Sequence, residues 1–159
     1  MDLKEQIRLA VEEKLQGTEA FFVDIKASYS KIAVFVDHPN GMKLEDCVAI
    51  NRFLESKPEL ASVFETHELE VSSPGMDEPL KVLKQYIKRI GQEVNVLMKD
   101  GIRQIGTLKS VDENGIVVVE SKRFKGAGKN TFQTIDHNIS FDDIKETKVV
   151  FNFNKVLDN

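Results

Sequence analysis

Between Lys122 and Asn130 the sequence Lys-Arg-Phe-Lys-Gly-Ala-Gly-Lys-Asn gathers four cations, an aromatic ring and two glycines. These types suit an RNA backbone. Lys and Arg neutralise phosphates, glycines let backbone N–H groups approach an anion, and an aromatic ring stacks on an unpaired base. Lys122, Arg123, Phe124, Lys125 and Lys129 are therefore the candidate RNA contacts. The plainer alternative is a solvated hairpin loop between two strands. Nucleotide hydrolysis is not expected, because GAGKN lacks the G-x-x-x-x-G-K-[ST] spacing and does not lead from a buried strand into a helix.

The other reactive side chains assemble no comparable group. Ser72 or Ser73 with His67 could begin a Ser-His-acid arrangement, but neighbours along a strand alternate faces and no G-x-S-x-G elbow surrounds either serine. His38, His67 and His137 fall in different elements without H-x-x-x-H or C-x-x-C partners, so neither a metal nor another cofactor is expected. Cys47, the single cysteine, reads as a small buried hydrophobe. Glu45 and Asp46 complement the positive end of a helix. Glu68 and Glu70 read first as solvated positions, and second as an acidic face able to meet a basic partner protein.

The elements that hold these residues follow from periodicity. Leu3, Ile7, Ala10, Val11 and Leu15 recur at three and four residues ahead of Gly17, which predicts an amphipathic helix over 2–16. Phe21, Val23, Ile25 and Ala27 alternate with their neighbours, and Ile32, Val34 and Val36 repeat that period after a short turn; this predicts a β-hairpin. Leu44, Cys47, Val48 and Leu54 mark one side of a second helix ending near Pro58, and a third strand follows over 67–72. The order αββαβ places two helices on one face of a small sheet, an α+β layout shared with RNA-binding modules of the KH type.

Beyond residue 80 the pattern changes. Leu83, Tyr86, Ile87 and Ile90 predict a short helix, and strands are expected over 94–98, 104–111, 115–121, 131–141 and 147–153. Five short strands in so little chain imply a small closed or nearly closed barrel of Sm-like or SH3-like type, with Gly106 at the bend that lets the sheet curl. The expected division is an α/β domain over 1–80 and a barrel over 81–159. Charge divides similarly: residues 1–82 hold 9 Lys+Arg against 16 Asp+Glu, and residues 83–159 hold 13 against 10. The two halves face different partners, or different parts of one. With no long apolar run, an acidic amphipathic start and one cysteine, the chain is expected to be soluble and cytoplasmic, without a membrane partner; a monomer is expected because the barrel carries a covalent neighbour.

Between the halves lies Glu70-Val-Ser-Ser-Pro-Gly-Met-Asp-Glu-Pro-Leu80. Pro74 fixes φ, Gly75 permits a left-handed turn, and Pro79 suits the first turn of a helix. The stretch closely resembles the E-V-S-S-P-G-L-D-R-P-L signature of the RimP family, through Ser72, Ser73, Pro74, Gly75, Asp77 and Pro79. Met76 takes the usual leucine place and Glu78 the usual arginine place. FFVDIK at 21–26, the strand ending Val36-Asp37, G-x-x-L-E-D-C at 41–47 and ISFDDIKETKVVF at 139–151 resemble the family in the same order. The resemblance implies an α/β domain joined to an Sm-like barrel, in a non-enzymatic factor that binds the free small (30S) ribosomal subunit and assists its late maturation. It also implies contact with ribosomal RNA and with a basic small-subunit protein near the decoding region. The rival reading is a protein–protein adapter whose barrel binds a peptide without touching RNA.

Overall fold

The computed structural model describes residues 2–75, 77–126 and 129–150, with the backbone alone at 124–126 and 129–131. They form two compact units, residues 1–75 and 76–159.

The first unit opens with helix α1 (Leu3–Leu15), which buries Ile7, Ala10, Val11 and Leu15. Spacing of three and four residues puts these on one stripe. Gly17, at φ +81°, ends the helix with a backbone conformation other residues resist. On α1's solvated side Arg8 bridges Glu5 and Glu12. Strands β1 (Phe21–Ala27) and β2 (Lys31–Asp37) form the expected hairpin, closed by the Ser28 N–H donating to the Lys31 carbonyl at 2.8 Å. Helix α2 (Leu44–Glu55), a single 3₁₀ turn and helix α3 (Ala61–Thr66) lead to β3 (Glu68–Ser72), which pairs parallel to β2 and gives the order β1-β2-β3. Central β2 supplies Ile32, Val34 and Val36, each fully buried with Ile7, Val11, Ile50, Leu54 and Leu60.

Three details depart from the periodicity. A β-bulge between Phe22 and Asp24 breaks the alternation of β1, so Phe22 and Ile25, rather than a uniform odd-numbered set, pack on the helical core. On α2 the buried stripe is Cys47, Ile50 and Leu54, while Leu44, in the first turn, is 81% exposed. Short α3 was not expected, because one and a half turns carry too little periodicity to register.

The second unit begins with helix α4 (Leu83–Lys88). Gln85 reaches back to accept hydrogen bonds from the Lys81 and Val82 backbone N–H groups, at 2.6 and 3.1 Å, which answers donors a helix start leaves open. Tyr86 alone of the expected apolar face is buried; Ile87 and Ile90 are exposed. Strands β4 (Glu93–Met98), β5 (Arg103–Val111), β6 (Gly115–Gly126), β7 (Lys129–Ser140) and β8 (Ile144–Val149) form one antiparallel sheet in the order β7-β6-β5-β4-β8. Val94, Val96, Leu108, Ile116, Val118 and Ile139 make its core with Tyr86.

The sheet has to curl. Its lateral strands β7 and β8 are consecutive, joined by a single 3₁₀ turn at Phe141–Asp143, and three residues reach only about 10 Å. The two edges are therefore drawn together at that end, which gives a barrel-like form. Gly106 allows the bend, since a Cβ there would meet the Val119 carbonyl oxygen and the Val118 side chain. The last strand starts at Ile144, earlier than its period indicated; residues 151–153 of the expected strand lie outside the described residues.

Candidate nucleic-acid interface

Strand β5 pairs with β6 only as far as Val119, whereas β6 and β7 stay paired to Gly126 and Lys129. Residues 120–126 and 129–135 therefore bond to each other and, among the described residues, to no third strand. Seven residues at about 3.3 Å give a ribbon on the order of 23 Å long. The segment expected to be a loop is mostly strand, and alternation in a strand decides what its side chains can do together.

Adjacent residues project to opposite faces, so the cations do not form one patch. Lys122 shares a face with Glu120, whose Oε1 lies 3.8 Å from its Nζ. The same carboxylate oxygen meets His137 Nε2 at 3.1 Å, across the strand pair. Arg123 lies on the opposite face, exposed, with no carboxylate partner among the described residues. Directly across from it in the register is Phe132, 69% exposed. Sequence reasoning chose Phe124 as the stacking residue and overlooked Phe132. The signal that would have found it is the register, which sets Phe132 opposite Arg123 and Thr131 opposite Phe124. The side chains of Phe124, Lys125 and Lys129 lie outside the described residues.

In the first unit, Glu68 and Glu70 are both exposed on β3, as expected of solvated positions. Glu70 is engaged by Lys31 from the neighbouring strand, and that hydrogen bond pushes the Lys31 ammonium above its ordinary value, with Glu68 adding a smaller pull. Ser72 closes β3 opposite Phe35, and Ser73, Pro74 and Gly75 follow it to the end of the first unit. Asp77 and Pro79 belong to the second unit, where the Leu80 N–H donates to the Thr147 carbonyl at 2.8 Å. Residues 1–75 contain no G-x-x-G, so the KH-like layout comes without the loop with which KH modules clamp a nucleotide backbone.

The remaining candidates are structural. Cys47 is buried in the helical core, and desolvation, then Asp46, pushes its thiol up. His38 Nδ1 accepts from the Asn40 backbone N–H at 3.0 Å, shaping a turn. His67 Nδ1 lies 2.9 Å from Thr66 Oγ1. No group of three metal-ligating side chains gathers among the described residues, and no helix among them is long and apolar enough to cross a membrane. Near α4 a groove of about 490 Å³ is lined by Leu80, Leu83, Tyr86, Phe141 and Ile144, with Lys81, Lys145, Glu113 and Glu146 at its polar margin.

A helix-covered acidic unit followed by a small curled sheet with a projecting cationic ribbon defines a two-unit α+β protein. Residues 10–77 match the model of the RimP N-terminal domain. The chain is 32% identical to the ribosome maturation factor RimP of Cytophaga hutchinsonii, over 93% of this chain and 96% of that protein. It is 33% identical to the ribosome maturation factor RimP of Porphyromonas gingivalis, over 90% of this chain and 95% of that protein. The chain belongs to the ribosome maturation factor RimP family, and its role is in ribosome maturation.

Proposed function

We propose that the chain binds the free small (30S) ribosomal subunit and assists its late assembly in the cytoplasm, as a monomer, by binding rather than by catalysis. The observation that carries this reading is the β6–β7 ribbon, which holds Lys122 and Arg123 away from the sheet, where phosphates can reach them. Phe124, Lys125 and Lys129 extend the same RNA-facing role along the ribbon. The first unit, with 8 Lys+Arg against 14 Asp+Glu, presents Glu68 and Glu70 to a basic ribosomal protein near the decoding region. The family signature through Ser72, Ser73, Pro74, Gly75, Asp77 and Pro79 spans the boundary between the two compact units, a few residues before the division at 80/81 expected from the sequence. Each contact stabilises a productive conformation of the immature subunit over its alternatives.

The purified protein should co-sediment with free small subunits and be displaced as salt rises. Replacing Lys122 and Arg123 together by alanine should lower the slope of log affinity against log salt by roughly 1 to 2. An unchanged slope would remove the ribbon from the RNA role, and retention only on complete ribosomes would reject the reading. The groove beside α4 favours a second possibility, an adapter whose barrel takes up an extended apolar peptide. Ribonuclease separates the two, because an adapter's partners survive the treatment.

A further inference from the structure

We propose that Phe132, with Arg123 beside it, is a stacking platform for an unpaired RNA base, so that the ribbon's preferred ligand is single-stranded rather than duplex RNA. The inference rests on the reading above that the ribbon faces RNA, and it adds the ligand's structural class and the residue that selects it. Phe132 takes no part in either apolar core and is 69% exposed, although the β unit buries other large apolar side chains around Tyr86 and Leu108. One exposed apolar residue needs no explanation by itself. This one stands opposite an exposed Arg123 that no carboxylate answers among the described residues, on a two-stranded ribbon without a covering third strand.

Direct cross-strand partners have Cβ atoms about 5 Å apart, so one nucleotide can meet both side chains. The ring offers its face to a base while the guanidinium reaches the adjoining phosphate or lies against the next base. The pair that flanks them on this face toward the rest of the sheet, Ser121 and Thr134, is small and polar and supplies hydroxyls for hydrogen bonding. Paired bases inside a duplex do not offer such a face; single-stranded loops and ends do. On the other face the Glu120 carboxylate lies 3.8 Å from Lys122 and 3.1 Å from His137, whereas no carboxylate among the described residues faces Arg123, so the Arg123–Phe132 face is the better suited to a polyanion.

The test uses the full chain and fluorescence anisotropy with an unstructured oligouridylate and a blunt RNA duplex of equal length. Wild-type protein should favour the single strand. Phe132→Ala and Phe132→Leu should each weaken single-strand binding roughly tenfold, with duplex binding and the salt slope unchanged, and Phe132→Tyr should remain near wild type. Because Phe132 is exposed, none of these variants should shift the melting temperature. Equal affinity of the wild type for duplex and single strand, or a Leu variant as tight as wild type, overturns the platform while leaving the RNA reading intact. If the wild type binds neither RNA, both proposals fail together.

Discussion

In residues 1–75 three basic side chains are met by carboxylates from within the unit: Arg8 by Glu5 and Glu12, Lys57 by Glu13 at 2.8 Å, and Lys31 by Glu70. Arg8 holds the Glu5 carboxyl below its ordinary value through their hydrogen bond. In the β6–β7 ribbon, Lys122 lies only within 3.8 Å of a carboxylate shared with His137, and Arg123 stands beside a phenyl ring. Pairs exposed to water contribute little to folding, and a cation already paired releases few counterions when a polyanion arrives. A charge tally of the halves therefore understates their difference. The acidic unit answers Arg8, Lys31 and Lys57 with its own carboxylates, and the ribbon has left Arg123 for a partner.

That contrast can be broken experimentally, and the largest effect belongs to the first unit's core. Leu54→Ala, at a fully buried position, should lower stability by about 2–5 kcal/mol in urea unfolding. It should leave the salt dependence of RNA binding unchanged; a changed slope would mean that the two surfaces are not separate. Gly106→Val should destabilise the curled sheet by about 1–3 kcal/mol, since the new side chain meets the Val119 backbone and Val118. Melting at the wild-type temperature would show that the bend does not need the glycine.

Tyr86→Phe removes a hydroxyl that donates to Thr147 Oγ1 at 2.9 Å, where both residues are buried. The expected loss is about 1–2 kcal/mol, with much of it recovered when Thr147→Val removes the orphaned partner too. Burial pushes the Tyr86 phenol up, against a smaller opposing effect of its Thr147 hydrogen bond. A raised folded-state pKa leaves stability intact below the unfolded value of about 10 and erodes it as pH climbs through the folded value. The Phe variant should lack that part of the alkaline decline. The smallest effect is expected from Glu70→Gln. It should leave the melting temperature unchanged and bring the Lys31 ammonium pKa down toward its ordinary value, read by NMR titration.

Much of this is legible in the sequence. The α1 stripe, the hairpin and the third strand follow from spacing and from residues with few conformational choices. Less legible were features set by a neighbouring strand. A one-residue bulge in β1 reassigns its faces, and Leu44 is 81% exposed although it stands three residues before buried Cys47. The same limit applied to the candidate interface: composition located it between Lys122 and Asn130, but could not place Phe132 beside Arg123.

The sequence alone determined the class of elements, their order, the sign of each half's charge and the family, because these depend on residues near one another along the chain. Tertiary structure decided that the cationic segment is a ribbon rather than a loop, that Lys122 and Arg123 part to opposite faces, and that the lateral strands are drawn together at one end. Those outcomes depend on register and sheet curvature, which backbone hydrogen bonds between distant segments set.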